Sequence, residues 1–252
     1  PQPEPSIIPI TGITAIFNNI FYGWENISSR LFLMIMLAFM TINSFVNGMT
    51  TVLINPLILS FSTATTYGSI MSIAGCGMLA GSIFMSIWGG GKKSISPLFI
   101  FSALNGIALI ITGVKPSIPL ITLGISISFF TLPIVLSTNA TIWQSSVHPN
   151  VQGRVLGLFY TITGLGAALG TLSASPLADT ILGPMMDFDG ILAHSVGKFI
   201  ATGHGRGIGL LMIMEGIVML FVSIVLLTYF YSRHINEELL TYDLKIDSIK
   251  IQ

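Results

Sequence analysis

Residues 31–56 read LFLMIMLAFMTINSFVNGMTTVLINP, and no charged side chain occurs among them. The charge-free run continues as far as Gly91. A helix needs about 20 mainly apolar residues to cross a bilayer, so the run from Leu31 to Gly91 has room for two crossings. A membrane β-barrel would instead show alternating segments of about 10 residues. The stretch therefore predicts membrane-spanning helices.

The rest of the chain repeats this pattern. Charge-free runs cover residues 94–114, 116–153 and 155–178, and residues 207–231 form an apolar run with one acidic residue. We therefore predict an all-α integral membrane protein, with its transmembrane domain at residues 31–231. The six transmembrane helices are expected at about 31–55, 67–88, 96–114, 118–140, 155–177 and 207–231.

The composition excludes several other classes of protein. Apolar residues make up 52% of the 252 residues and charged residues only 8%, whereas about 25% is usual in soluble domains. The ten basic and ten acidic residues cancel, so no global field favours a nucleic-acid partner. The partner that this composition predicts is the lipid bilayer.

Few residues could hold a metal or a cofactor. Cys76 is the only cysteine, which excludes an internal disulfide and a cysteine metal cluster. We interpret it as a small buried residue in a glycine-rich helix. The four histidines lie in predicted loops or in the tail, and none has a partner at metal-ligand spacing. We therefore expect no metal, no cofactor and no catalytic residues.

Residues 1–30 are predicted to form a linker that contains an amphipathic interfacial helix. The apolar face of this helix comprises Ile13, Ile16, Phe17, Ile20, Phe21 and Trp24. Because the sequence starts with a proline-rich segment and without Met, we expect it to be a piece of a longer chain.

The basic residues predict the orientation in the membrane. Six crossings place both termini on one side. The basic residues of that side include Arg30, Lys92, Lys93, Arg154 and Arg233, against Lys115, Lys198 and Arg206 on the other side. Because basic loops stay in the cytoplasm, both termini and the tail at 232–252 are predicted to be cytoplasmic. The expected location is the cell membrane, plasma or inner.

The outer loop is predicted at residues 178–206, with a short interfacial helix near 191–200. It ends in ATGHGRGIGLL, residues 201–211. Glycines before a helix can cradle a phosphate, but both phosphate-loop spacings and an upstream strand are missing. We interpret the glycines as a flexible hinge. Arg206 would then extend toward headgroups or pair with aspartates of the loop.

Polar residues inside the first span form one stripe. Asn43, Asn47 and Thr51 are spaced at i, i+4 and i+8, and Pro56 follows near the outer end. A proline inside a helix removes a backbone donor, so a bend is expected there. The stripe predicts either a substrate path or hydrogen bonds to a neighbouring helix.

The fourth span has a similar design. Thr131 precedes Pro133, and Thr138 follows it. If the six helices form two repeats of three, the first and fourth spans, with Pro56 and Pro133 as helix breaks, are equivalents. Because each repeat then has an odd number of crossings, the two repeats are inverted, as in many transporters. The second and fifth spans contain GxxxG patterns at 77–81 and 166–170, which predict close helix packing.

Glu215 is the one charged residue inside a span, where an ionised group costs on the order of 3 kcal/mol. It predicts a proton-coupling or ligand group. The alternative is a neutral Glu that bonds an adjacent helix or reaches the outer interface.

The stretch TIWQSSVHPNVQGRVLGLFY at 141–160 carries a resemblance to a known family. It resembles the cytoplasmic connection between helices ten and eleven in the major facilitator superfamily, in the efflux branch with macrolide and siderophore exporters. The matching residues are Gln144, Pro149, Gly153, Arg154 and Val155. One departure is the loop with Lys92 and Lys93, which lacks the aspartate of the family's loop signature.

The resemblance implies that the spans are helices seven to twelve, the C-terminal half of a major facilitator fold. An N-terminal six-helix half is then expected in the same longer chain. The resemblance also implies a central cavity lined by helices seven, eight, ten and eleven. The candidate lining residues are Asn43, Asn47, Thr51, Thr131, Thr138 and Thr161. Lys92, Lys93 and Arg154 are expected at the cytoplasmic rim, while helix twelve, with Glu215, usually lies outside the cavity.

The expected function is secondary active efflux of a small-molecule substrate by alternating access, driven by an ion gradient. Two alternatives remain open. A non-transporting membrane anchor or scaffold would need no polar stripe, and a membrane-embedded enzyme would depend on Glu215.

Overall fold

A computed structural model gives the fold of the chain and describes residues 23–89, 95–187, 190, 192, 197–200, 202–203 and 205–232. Within these residues the regular structure is helical throughout. The long helices are α1 (Leu31–Leu59), α2 (Ala64–Trp88), α3 (Ser96–Val114), α4 (Ile118–Ser146), α5 (Gln152–Ser175) and α6 (Arg206–Ser232). All six are long and apolar enough to cross a membrane. They confirm the predicted helical spans and support a multi-pass membrane protein.

The helices α1 and α4 are longer than predicted. α4 continues to Ser146 rather than ending near residue 140. Residues 141–146 are more polar than the rest of the span, but they contain no proline or glycine that would end a helix. Hydropathy therefore located the apolar part of the helix, whereas the backbone hydrogen bonds continue past it.

The predicted outer loop begins later than expected. After α5 the chain remains helical, first as a π-helix at Pro176–Leu182 and then as a short α-helix at Gly183–Met186. Pro176 has no N–H for the α-helical ladder, and a wider turn accommodates it. The short helix expected near 191–200 is present only as the helical turn Gly197–Ile200 among the described residues.

Most of the predicted N-terminal helix lies outside the described residues, including its apolar positions from Ile13 to Phe21. The described part is helical at 23–28. Trp24 is exposed, whereas Ile27 is completely buried in the core. This helical turn packs near α5, because a Cβ on Gly23 would contact the Arg154 carbonyl oxygen.

The long helices pack closely in four pairs: α1 along α5, α2 along α4, α3 along α6 and α3 along α4. The GxxxG motifs make the first two pairings, as predicted. A Cβ on Gly170 of α5 would overlap the Phe45 carbonyl oxygen of α1. Likewise, a Cβ on Gly81 of α2 would overlap the Phe130 carbonyl oxygen of α4. Glycine is required at these positions because only a bare Cα lets the backbones approach this closely.

The pair α3 and α6 has a reciprocal glycine contact. A Cβ on Gly106 would overlap the Gly216 carbonyl oxygen, and a Cβ on Gly216 would overlap the Gly106 carbonyl oxygen. Gly113 and Gly209 form the same reciprocal contact about two helical turns away. Each helix therefore presents two glycines, seven residues apart, to the other helix.

The interior consists of two hydrophobic clusters, one toward each end of the bundle. The cluster at the Arg30 end contains Trp143, whose ring centroid lies 4.5 Å from that of Phe159. The cluster at the Arg206 end contains Ile58 and Met212. Below, "Arg30 end" and "Arg206 end" name these two ends of the bundle.

The expectation of a buried Cys76 was wrong, because its side chain is exposed. The helix α2 is mostly exposed and buries only Ile70, Ala74 and Gly81. Its glycine face packs on α4, and Cys76 lies on the remainder of the helix surface.

Candidate functional site

A cavity of about 270 Å³ lies inside the bundle. Five helices line it, and its wall is both polar and apolar. The polar lining residues are Asn43, Asn47, Thr50, Thr51, Tyr67, Asn105, Thr112, Ser128 and Thr131. The apolar lining residues are Ile54, Met71, Leu109, Ile125, Phe129, Leu132, Val135 and Met212. Ligand sites commonly combine an apolar wall with a few polar groups in this way.

Helix α1 provides the polar stripe that the sequence predicted. The Asn47 Nδ2 donates to the Asn43 Oδ1 at 2.8 Å and to the Asn43 backbone oxygen at 2.9 Å. The Thr51 hydroxyl donates to the Asn47 backbone oxygen at 2.7 Å. Among the described residues, neither amide bonds to a neighbouring helix. The stripe therefore fits the cavity interpretation, and the Asn43 amide N–H groups and the Asn47 amide oxygen stay available to a ligand.

Sequence reasoning missed several lining residues. Asn105 is the only amide in α3, and Thr50 and Tyr67 lie on α1 and α2. The signal for Asn105 was visible, because an amide in an apolar span seldom faces lipid. Thr50 gave no such signal, since it lies beside Thr51 and only packing determines which of the two meets the next helix.

Ser128 and Thr131 bring α4 into the cavity wall. The Thr131 hydroxyl donates to the Ser128 backbone oxygen at 2.8 Å. The Ser128 hydroxyl is buried and has no hydrogen-bond partner among the described residues. The lining thus supplies neutral donors and acceptors, and no charged side chain is among its described residues.

Glu215 lies directly behind this wall. It is 4% exposed, and its Oε2 accepts a 2.7 Å hydrogen bond from the Thr50 hydroxyl. Its Oε1 is buried without a partner in the described part of the chain. The packed helices α1 and α3 contain no ionisable side chain. The hydrogen bond to Thr50 joins Glu215 to the adjacent helix α1, and Thr50 itself lines the cavity.

Two of the predicted cavity residues lie elsewhere. Thr138 is buried on α4 but closer to the Arg30 end than the cavity. Thr161 is exposed on α5, where its hydroxyl donates to the Gly157 backbone oxygen at 2.8 Å. The helix α5 packs along α1 and contributes no residue to this cavity, whereas α3 and α6 do. The cavity therefore differs from the one that the resemblance implies, which is lined by helices seven, eight, ten and eleven. Thr138 and Thr161 therefore do not line this cavity, and their place on a substrate path stays a prediction.

Both prolines lie inside continuous helices. The helix α1 runs past Pro56 to Leu59, and α4 runs past Pro133 to Ser146. Pro56 borders a second, wider cavity of about 740 Å³ at the Arg206 end, together with Asp179. Neither proline ends its helix, and the predicted bends stay predictions.

The predicted rim residues are only partly described. Arg154 is exposed in the first turn of α5, at the Arg30 end. Lys92 and Lys93 lie outside the described residues.

The sequence predicted that Arg206 extends toward the surface, but in the structure its side chain is buried. It is 4% exposed, and its Nη2 donates to the backbone oxygens of Gly113 and Val114, each at 2.9 Å. These are the last carbonyls of α3. A guanidinium in this place satisfies the unpaired carbonyls of a helix end and opposes the helix dipole.

The glycines near Arg206 form a tightly packed junction. Gly203 and Gly205 have positive φ angles of 115° and 77°, which favour glycine. A Cβ on Gly207 would overlap the backbone at Gly183. These contacts give the glycines a structural role at the start of α6 and provide no support for a phosphate site.

Comparison with known proteins identifies no family: no protein-family model, curated protein or solved structure matches the chain. The site must therefore be interpreted from its own geometry.

Proposed function

We propose that this chain is half of an alternating-access transporter for small organic molecules. The observation that carries the proposal is the cavity between α1, α2, α3, α4 and α6, with amides and hydroxyls on an otherwise apolar wall. An anchor or scaffold needs no such cavity in its interior. An enzyme would need reactive groups in contact with the ligand, and the one carboxyl that the described residues place near this cavity lies behind Thr50.

Three of the four close helix pairs support an inverted repeat of three helices, which is common in transporters. The fourth pair, α3 with α4, has no equally close counterpart between α6 and α1. In such a repeat α1 corresponds to α4, α2 to α5, and α3 to α6. The contact of α1 with α5 would then be the same contact as that of α4 with α2. Both use a GxxxG motif against backbone oxygens one turn apart: Gly166 and Gly170 face Thr41 and Phe45, and Gly77 and Gly81 face Ser126 and Phe130.

The third pair supports the same symmetry. If a two-fold axis relates α3 to α6, every contact between the two helices has a second copy in which the equivalent residues have changed helices. With Gly106 equivalent to Gly209 and Gly113 equivalent to Gly216, the contact of Gly106 with Gly216 has its copy in the contact of Gly209 with Gly113. This register also changes the expected equivalence of the prolines. If Ser126 corresponds to Thr41, then Pro133 corresponds to Gly48 and not to Pro56.

The glycine pairing and the loop at 141–160 together favour the C-terminal half of a major facilitator transporter, with a partner half in the same longer protein. The basic loops favour a cytoplasmic Arg30 end. Export as the direction of transport rests on the resemblance of that loop.

The lining favours a neutral substrate. Its free groups are amide and hydroxyl donors and acceptors, and no charge in the wall would compensate a charged ligand. The volume of about 270 Å³ lies just below the range of about 300–1,000 Å³ for ligand pockets, which favours a small substrate. Glu215 then serves as the proton-coupling group. Its bond to Thr50 links its protonation to the helix that carries Asn43 and Asn47.

Transport by the full-length protein in proteoliposomes tests this proposal. The vesicles are offered an equimolar mixture of phenylacetamide, phenylacetate and phenethylamine, which share a skeleton but differ in charge. Uptake is measured by mass spectrometry as the excess over protein-free vesicles, because a neutral amide also crosses lipid by itself. We expect phenylacetamide to be taken up at least tenfold faster than the other two. The variant N43L/N47L should lose this uptake, while the control T228V retains it because Thr228 is exposed on α6 and does not line the cavity.

The alternatives predict different results. An anchor or scaffold shows no uptake of any of the three compounds and retains its function with N43L/N47L. A membrane-embedded enzyme loses turnover of a lipid substrate on Glu215→Gln. A transporter coupled at Glu215 keeps downhill uptake with Glu215→Gln but loses accumulation driven by a pH gradient.

A further inference from the structure

We propose that a file of ordered water molecules runs along the inward face of α4, from the cavity to the Arg30 end of the bundle. This inference goes beyond the transport proposal and does not depend on it, because it rests on the packing of α4 alone.

The first observation is that polar residues share one face of α4. Ser128 and Thr131 line the cavity, and Thr138, Asn139 and Ser146 follow toward the Arg30 end. At 100° per residue these positions fall within one arc of the helix, together with Trp143. From Ser128 to Ser146 the face is about 27 Å long at the usual helical rise.

The second observation is that this face carries buried polar atoms without partners. Within the described part of the chain, no hydrogen-bond partner is found for five of its side-chain atoms: Ser128 Oγ, Thr138 Oγ1, Asn139 Oδ1, Trp143 Nε1 and Ser146 Oγ. Thr138, Asn139, Trp143 and Ser146 are each at least nine-tenths buried. A dry interior would leave each atom with a desolvation cost of about 1–3 kcal/mol.

Several such costs on one helix face are unusual, because nearly all buried polar groups in folded proteins are satisfied by protein or by ordered water. Buried water typically binds where two to four polar groups converge. The file would be anchored at both ends. At the cavity it meets the Ser128 hydroxyl, and at the other end the Arg30 Nη1 donates to the Ser146 backbone oxygen at 3.1 Å.

The chemistry of the face suits a relay of water molecules. The Trp143 indole only donates and the Asn139 Oδ1 only accepts, while the hydroxyls of Ser128, Thr138 and Ser146 do both. This order of donors and acceptors along α4 can orient a chain of water molecules. The file would give water and protons access to the cavity from the Arg30 end, past the aromatic contact between Trp143 and Phe159.

Radiolytic hydroxyl-radical labelling in H₂¹⁸O tests the proposal, because a buried side chain is oxidised rapidly only if water lies beside it. The full-length protein is irradiated in nanodiscs, and labelling is mapped by mass spectrometry. Trp143 and Met36 are both 0% exposed and belong to the same hydrophobic cluster, but Met36 lies on α1 and not on the polar face of α4. We expect Trp143 to be labelled at least fivefold faster than Met36. Equal or slower labelling of Trp143 would overturn the proposal.

A variant tests the route of the water. N139L/S146A removes two polar groups of the face and should reduce Trp143 labelling at least threefold, while labelling of Met212 at the cavity stays unchanged. The control T141A changes a hydroxyl on the exposed face of α4 at the same level and should change neither. If N139L/S146A folds normally but Trp143 labelling persists, water reaches Trp143 by another path and the file is refuted. If the variant does not fold, the comparison of Trp143 with Met36 in the wild type decides the question.

Discussion

At the residue scale, the two buried charged residues of α6 bond to different neighbours. Arg206 holds the end of α3 through the carbonyls of Gly113 and Val114, whereas Glu215 meets α1 through Thr50. Neither partner was evident from the sequence, because each lies on a distant part of the chain. Both bonds tie α6 to a helix that lines the cavity.

Removing the Arg206 cap should destabilise the protein. Hydrogen bonds to charged groups contribute about 1.5–3 kcal/mol, so Arg206→Met should lower the free energy of unfolding by about 2 kcal/mol or more. The measurement is SDS-induced unfolding followed by circular dichroism. Lys115→Met is the matched control, since Lys115 is exposed next to the same end of α3. Equal effects of the two variants would mean that the guanidinium does not cap α3.

The bond between Thr50 and Glu215 should appear as a coupling energy. In the double-mutant cycle of Thr50→Val and Glu215→Leu, we expect about 1 kcal/mol, within the range seen for hydrogen bonds between membrane helices. The same unfolding assay gives all four values. Additive single variants would contradict a direct bond between these side chains.

At the element scale, glycines determine which helices pair. Gly170 and Gly164 lie on the same helix but face different surroundings. A Cβ on Gly170 would overlap the Phe45 carbonyl oxygen, whereas a Cβ on Gly164 meets no atom within 4 Å. The GxxxG spacing in the sequence identified the packing face of α5, and the structure identified α1 as the helix that it meets.

Alanine at these two glycines should have opposite effects. Overpacking costs about 1–3 kcal/mol, so Gly170→Ala should destabilise the protein by about that amount. Gly164→Ala should leave stability unchanged or raise it by up to about 1 kcal/mol, because alanine favours the helix. Chemical unfolding in detergent compares the two variants. If Gly164→Ala were the more damaging variant, α5 would pack by another face.

At the scale of the whole molecule, six helices place the loops alternately at the two ends of the bundle. Residues before α1 and between α4 and α5 lie at the Arg30 end, and the connection between α3 and α4 lies at the other. The excess of basic residues in the loops that the sequence predicts at the Arg30 end favours its retention in the cytoplasm.

Labelling of single cysteines checks this orientation. In a Cys76→Ser background, Lys115→Cys should react with a membrane-impermeant maleimide on intact cells. Ser29→Cys and Asn150→Cys should react only after the cells are permeabilised, because both lie at the Arg30 end. Reaction of Ser29→Cys on intact cells would reverse the orientation.

The sequence by itself determined the number, approximate bounds and membrane character of the helices. This information is local, since each span must shield its own backbone within about 20 apolar residues. The stripe of Asn43, Asn47 and Thr51 was also predictable, because helical spacing alone places these side chains on one face. Its position at the cavity agrees with that prediction.

Only the tertiary structure decided which helices enclose the cavity. Thr161 and Asn105 are both polar residues in apolar spans, yet Asn105 lines the cavity and Thr161 is exposed. The difference comes from the close backbone contacts at the glycines, which place α5 beside α1 and α3 beside α6. In the same way, Arg206 became a cap of α3 rather than a surface residue. Such contacts depend on the complementary shapes of distant segments, which no local pattern of hydropathy encodes.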